Sequence, residues 1–243
     1  MTKDLLFAYP ELIPGILVRR YKRFLADIQL SSGELITAHC PNTGPMIGVC
    51  AQGSSVFVSR SNNPKRKLAY TWELIQVNKT WVGINTSLPN KVIKSAIEQG
   101  KIPELKANYC QIKSEVTYGK QRKSRIDLKL VETDNDKPIY IEIKNTTLAE
   151  NNHALFPDTT TTRGQKHLLE LMDLLPDARP IMLYFINRKD CTHFKVGDAY
   201  DPTYGQLLRQ AMKQGVEVLP CRFEVSPAGL RYLGQAILSF SCE

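Results

Sequence analysis

Polar and apolar residues alternate through the first third of the chain. "GILVRRYKRFLADIQL" (Gly15–Leu30), "GELITAHC", "SSVFVSR", "YTWELIQV" and "TWVGINT" are short runs rich in branched and aromatic residues. Gly, Ser, Asn and Pro separate them. A period of two with close turns predicts strands. Five such strands suit a small barrel or a sandwich, and a five-stranded oligonucleotide-binding (OB) barrel is one natural candidate.

The texture changes near "NTSLPN". "LPNKVIKSAIEQG" predicts a helix over Asn90–Glu98, with Val92, Ile93, Ala96 and Ile97 on one side and Gly100 as its stop. Strands are then expected over Ile112–Tyr118, Arg125–Val131 and Ile139–Asn145. A helix over Arg163–Leu175, a strand over Ile181–Asn187, a helix over Tyr204–Gln214 and a strand over Val216–Leu219 complete the order. Interleaved helices and strands predict a mixed α/β unit. The expected division is residues 1–86 for the barrel and 87–243 for the α/β domain.

Within "SRIDLKLVETDNDKPIYIEIKNTTL" the period of two raises a chemical question. Ile126, Leu128 and Leu130 share one face of their strand, and Arg125, Asp127 and Lys129 the other. In the next strand Ile139, Ile141 and Ile143 oppose Tyr140, Glu142 and Lys144. If the strands are antiparallel neighbours, Asp127 and Glu142 can stand side by side. Two close carboxylates repel unless a cation or proton lies between them. A hard divalent ion such as Mg²⁺ takes oxygen ligands and suits the pair. Lys144 on the same face could orient a water or offset charge on a phosphate. That is the chemistry of metal-assisted phosphodiester hydrolysis. The bland alternative is that these charged residues simply face water, as on most amphipathic strands.

The order helix, strand, strand with Asp, strand with Glu-x-Lys, helix, strand resembles the PD-(D/E)xK restriction-endonuclease-like fold. The first acid here lies in "SRID" rather than after a proline. The literal Pro157–Asp158 follows Glu142 and cannot fill that slot by order.

Charge changes the picture of the first unit. The net charge is +8, from 32 Lys and Arg against 24 Asp and Glu. Met1–Arg125 carries 19 basic and 8 acidic residues, so the excess sits there and points to a polyanion partner. Arg19, Arg20, Lys22 and Arg23 lie in "RRYKRF", and Lys65, Arg66 and Lys67 in "RSNNPKRKLAYTW". Both stretches mix cations with rings, and Tyr21, Phe24, Tyr70 or Trp72 could stack on bases. Core packing is the competing expectation for the rings, and the favoured one for Trp72 and Trp81. "KQRKSR" (Lys120–Arg125) is a third basic stretch, with Arg125 close to Asp127.

In "TTTTRGQKHLLELM", Thr161 or Thr162 could cap a helix whose first amides suit an anion. Gln165 and Lys166 are then expected to serve a phosphate, and His167 is a weaker candidate. Glu98 is a further candidate metal ligand beside the reading of a solvated helix acid. "AHCPNTGPM" (Ala38–Met46) is either a binding loop or a tight turn built by Pro41, Asn42 and Gly44. The six cysteines form no C-x-x-C pair and read as free, mostly buried thiols of a cytoplasmic protein. No apolar run approaches the length of a membrane span, and no protein partner is evident.

"PELIPGILVRRYKRFLADI", "TAHCPNTGPM", "SRSNNPKRKLAYTWELI", "SRIDL", "IEIKNTTL" and "LFPDTTTTRGQKHLLELM" resemble the sugar fermentation stimulation protein A family over roughly Pro10 to Leu233. The resemblance implies an OB-like barrel and a nuclease-like domain, DNA binding with little sequence preference, and a regulatory link to sugar use, maltose especially. It places the nuclease-type positions on Asp127, Glu142 and Lys144. Two functions are expected. One is a Mg²⁺- or Mn²⁺-dependent DNA phosphodiesterase acting on single- or double-stranded DNA. The other is a non-catalytic DNA-binding regulator.

Overall fold

The N-terminal strands curl into a closed barrel around the apolar residues that alternate along them onto a shared inner face. The structure, a computed structural model, describes residues 4–106, 109–119, 124–132 and 137–239. Strand β1 (Phe7–Ala8) is followed by β2 (Leu12–Tyr21), β3 (Leu25–Leu30), β4 (Leu35–His39), β5 (Ser55–Arg60), β6 (Tyr70–Val77) and β7 (Thr80–Gly83). Their order in the sheet is β4-β3-β2-β5-β6-β7. A parallel contact, Ala38↔Tyr70 and His39↔Thr71, joins β4 to β6 and closes the five strands β2–β6 into an OB-type barrel. Leu17, Ile28, Val58, Trp72 and Ile75 fill it, all fully buried. Trp72 is thus a core residue, not a stacking platform.

Two features differ from the expectation. "GILVRRYKRFLADIQL" is a hairpin, not one strand. Tyr21 pairs with Leu25, and Lys22 and Arg23 make the turn with φ of 47° and 65°. Two lysine- and arginine-type residues in the left-handed region carry no Gly, Asn or Pro signal, so the pattern reads straight through them. Strand β1, within the expected barrel unit, pairs instead with a strand of the large sheet of the α/β domain, Phe7↔Leu230.

After the barrel come α1 (Leu88–Glu98), β8 (Tyr109–Tyr118), β9 (Ser124–Glu132), β10 (Ile139–Thr146), β11 (Ala149–Glu150), β12 (His153–Phe156), α2 (Thr162–Met172), β13 (Arg179–Ile186), β14 (His193–Val196), α3 (Pro202–Gln214), β15 (Glu217–Ser226), β16 (Gly229–Gln235) and β17 (Ile237–Leu238). The large sheet runs β1-β16-β15-β13-β10-β9-β8, with β10, β13 and β15 parallel. The short strands β11, β12, β14 and β17 form a second sheet, which two- to four-residue runs do not announce in the sequence.

Each face of the large sheet is covered. Val92, Ile93, Ala96 and Ile97 of α1 pack on Ile139, Ile141 and Ile143. Leu168 and Leu171 of α2, with Leu208 of α3, pack on Met182, Tyr184 and Ile186. Strand β10 is central, so its Glu142 face looks at α2 rather than at water. The solvent-facing alternative for Glu142 fails for this reason.

The two units are stitched at Gly83. Asn187 donates from Nδ2 to the Gly83 carbonyl at 3.1 Å, and Gly83 N–H donates to the Asn187 carbonyl at 3.0 Å. A Cβ on Gly83 would lie 2.2 Å from Asn187 Oδ1, so only glycine permits this approach.

A candidate acid–lysine site beside a basic barrel end

Glu142 is 3% exposed, in the middle of β10. Its Oε1 accepts from Lys144 Nζ at 2.7 Å and meets His167 Nδ1 of α2 at close range. Lys144 Nζ lies 3.1 Å from the same His167 nitrogen. Arg163, one turn earlier on α2, donates from Nε to His167 Nε2 at 3.4 Å. Glu142 Oε2 is buried with no hydrogen-bond partner among the described residues. Burial pushes the Glu142 carboxyl up, but the His167 hydrogen bond and the Lys144 charge outweigh it, and the net shift is downward.

Asp127 joins this group from β9. Pairing of β9 with β10 runs from Ile139↔Leu130 to Ile141↔Leu128. One residue further, Asp127 Oδ2 accepts the backbone N–H of Ile143 at 2.7 Å, where a ladder carbonyl would otherwise sit. Its Oδ1 accepts from Asn90 Nδ2 of α1 at 2.8 Å. The acids are neighbours, but they are held from opposite sides: Asp127 by α1, Glu142 by α2. Simple alternation predicts one shared face and misses this. Burial, and then the charge of Glu142, raise the Asp127 pKa to about 6. A carboxylate pair with a vacant buried oxygen and a raised partner is a receptor for positive charge.

Helix α2 begins where Thr161 Oγ1 accepts the Gly164 N–H at 3.1 Å, so Thr161 rather than Thr162 is the cap. Gln165 spends its Nε2 on both oxygens of Asp201, at 3.0 Å each, and so ties α2 to the start of α3. Lys166 Nζ donates to Ser124 Oγ at 3.0 Å, at the head of β9. Arg125 is exposed and 3.7 Å from Glu115. Glu98 is exposed at the far end of α1. Eight residues separate it from Asn90, about 12 Å along the helix. Asn90, not Glu98, is therefore the α1 residue that reaches the acids. Neither Asn90 nor the centrality of His167 was legible in advance, although the buried spacing Gly164, His167, Leu168, Leu171 marks His167 as inward-facing.

The basic residues of the barrel divide into two kinds. Arg19 pairs with Asp27 at 2.7 Å and stacks on Tyr21. Arg20 donates to the carbonyls of Arg23, Asn42 and Gly44 at 2.7, 3.0 and 2.8 Å. These two fix the barrel and the 41–46 loop, which makes that loop a built turn. Arg23 Nε holds the Thr43 carbonyl at 2.7 Å. Lys22, Lys65, Arg66 and Lys67 are exposed and have no carboxylate within ion-pair distance among the described residues. The 41–46 loop also meets the second domain. Asn42 and Gly44 line a cavity of about 90 Å³ with Asn145, Thr146, Thr147 and Asp158. The basic end of the barrel therefore adjoins the end of the strand that carries Glu142 and Lys144.

Lys120–Lys123 of the third basic stretch and Cys242 lie outside the described residues. The other five cysteines are in no disulfide among the described residues, and three of them are buried. Among the described residues no helix is long and apolar enough to cross a membrane.

Barrel, sheet and site together define an OB domain joined to a PD-(D/E)xK restriction-endonuclease-like domain. Residues 18–84 match the model of the SfsA N-terminal OB domain, and residues 87–229 that of the sugar fermentation stimulation protein RE domain. The chain belongs to the sugar fermentation stimulation protein family. A sugar fermentation stimulation protein homolog of Crocosphaera subtropica is 68% identical over 240 residues, 99% of this chain and 100% of its own length. The homolog of Synechocystis sp. is 62% identical over 235 residues, covering 97% and 99%. A solved structure of Pyrococcus furiosus SfsA in complex with Ca²⁺ matches with a TM-score of 0.87 at 26% identity, over 97% of this chain and 99% of that one.

Proposed function

We propose that this protein binds DNA with little sequence preference and hydrolyses phosphodiester bonds with a divalent metal, Mg²⁺ or Mn²⁺. One observation carries the reading: Glu142 Oε2 is a buried carboxylate oxygen without a hydrogen-bond partner among the described residues, beside a second, half-buried acid, Asp127. Glu104 Oε2 and Glu170 Oε2 are also buried without a hydrogen-bond partner among the described residues; what sets Glu142 apart is Asp127 close enough to feel its charge. The donor set of two carboxylates fits a hard cation, and the relative from Pyrococcus furiosus is described with Ca²⁺.

Asp127 and Glu142 would hold the metal, which when bound supplies Lewis-acid stabilisation of charge developing on the phosphate. The protein's own side chains do the rest. Ile143 N–H and Asn90 fix the Asp127 carboxylate. His167 and Lys144 fix Glu142 by Oε1 and leave Oε2 for the cation. Lys144 keeps an ammonium at the site, where it offsets phosphate charge. Affinity comes from the exposed lysines and arginines of the barrel. The family's OB domain and the net charge of +8 support the DNA-binding part.

A second reading is a DNA-binding regulator of sugar metabolism whose nuclease-like domain is a scaffold. It is favoured by the absence, among the described residues, of any group of three or more His, Cys, Asp or Glu side chains disposed to hold a metal. Purified protein incubated with labelled single- and double-stranded DNA in Mg²⁺, Mn²⁺ or EDTA separates the two. The enzyme reading expects cleavage that EDTA and Glu142→Ala both abolish. Binding without cleavage on every substrate leaves the scaffold.

A further inference from the structure

The barrel end that carries the exposed cations also carries an exposed ring, Phe24. The ends of β2, β4 and β5 and the starts of β3 and β6 converge there, as the pairs Tyr21↔Leu25, Leu25↔His39, Ala38↔Tyr70 and Arg60↔Tyr70 show. Two loops rise from this end: the Lys22–Phe24 turn and residues 61–69. Phe24 is 46% exposed, at a turn where burial was available to its neighbours Leu25 and Ala26. Arg60 packs its guanidinium over the half-buried Tyr70 ring at 5.9 Å. Beside them Arg60, Asn62, Asn63 and Arg66 line an open concavity of about 410 Å³. Lys65 and Lys67 flank Arg66 in the chain and are exposed; Arg66 donates to Thr71 Oγ1 at 3.1 Å, and none of the four cations is in ion-pair contact with an acid among the described residues.

We infer that this barrel end is a single-stranded DNA site, with phosphates on Arg60, Lys65, Arg66 and Lys67 and a base stacked on Phe24. Cations alone would serve a duplex equally well. The exposed ring decides between them. A duplex keeps its base faces stacked on one another, whereas an unpaired base presents its face to a ring. An exposed phenylalanine has nothing to offer a duplex backbone. The inference rests on the DNA-binding reading and names its substrate: an unpaired strand, led past the 41–46 loop towards β10.

The test is fluorescence anisotropy of the full chain with labelled dT12 and with a 12-base-pair duplex, in EDTA so that no metal chemistry intervenes. The expected result is dT12 bound at least about tenfold more tightly than duplex. Phe24→Ala should weaken dT12 about tenfold, the low range of one base–aromatic stack, and leave duplex binding unchanged. Phe24→Tyr should restore it. The triple variant K65A/R66A/K67A should lower the slope of log K against log[salt] for dT12 by about 2, at about 0.7 per phosphate contact. Equal or tighter duplex binding, or a Phe24→Ala variant within twofold of the parent on dT12, overturns the inference. The two readings fail separately. If Glu142→Ala abolishes cleavage while Phe24→Ala binds normally, the barrel site is wrong and the phosphodiesterase stands. If Phe24→Ala fails on dT12 while nothing is cleaved, the barrel site stands alone.

Discussion

Replacing Glu142 by Gln keeps the shape of the side chain and removes one charge from the pair with Asp127. In EDTA two consequences oppose each other. Lys144 and His167 lose their counter-charge at Oε1, while Asp127 loses the neighbouring charge that helps to raise its pKa. The change in stability without metal is therefore smaller than the larger of the two effects. With metal the outcomes diverge. A ligand at a hundred times its Kd stabilises the folded state by about 2.7 kcal/mol. For a chain of 243 residues each kcal/mol moves the midpoint by about 2–4 °C, so saturating Mn²⁺ or Ca²⁺ should raise the parent's Tm by roughly 5–11 °C. Glu142→Gln withdraws the vacant anionic oxygen, and the rise should fall below about 2 °C, the shift of less than one kcal/mol. Differential scanning calorimetry in EDTA and in metal reads both numbers. A variant that gains as much from metal as its parent, or a parent that gains nothing, refutes the assignment of Glu142 as a ligand.

Asn90→Ala would leave the partly buried Asp127 Oδ1 without its donor and should cost about 1–3 kcal/mol in urea unfolding; a cost near zero would remove Asn90 from the site. Gly83→Ala places a Cβ 2.2 Å from Asn187 Oδ1 and should cost about 1–3 kcal/mol by overpacking, with faster proteolysis between the units; unchanged stability would show that the junction yields. Asp201 caps α3 by accepting the Tyr204 N–H at 3.0 Å and also accepts from Thr161 and Gln165. Burial pushes its pKa up, but these donors outweigh it and hold the pKa below the ordinary aspartate value. A depressed carboxyl stabilises above the unfolded pKa of about 3.9 and loses that contribution as pH falls through its folded value. Asp201→Ala should therefore cost about 1–2 kcal/mol at pH 7, and the gap to the parent should narrow only below about pH 4. A gap that is constant from pH 7 to pH 2.5 would contradict this.

Much of the site was readable because its positions follow strand alternation. Glu142 and Lys144 share a face by their spacing, and the basic loops could be named from composition alone. Their partners could not. Arg19, Arg20 and Gln165 look like candidate phosphate ligands in sequence, yet each has a contact within the fold: Asp27, the carbonyls of the 41–46 loop, and Asp201. Whether a polar side chain is free depends on what the chain brings against it from 8 to 36 residues away. Glu98 failed for the converse reason, since it lies on the right helix at the wrong end.

Local period and turn chemistry were enough to specify that the chain starts as strands, turns to mixed α/β near Ser87 and carries acids and a lysine on neighbouring strands. Those signals act within a few residues, so they survive in the order of the letters. Barrel closure through Ala38↔Tyr70, the covering of Glu142 by α2 and the holding of Asp127 by Asn90 across 37 positions are tertiary decisions. Each is a contact between distant segments, and burial there turns an ordinary strand carboxylate into a charged group that needs a partner.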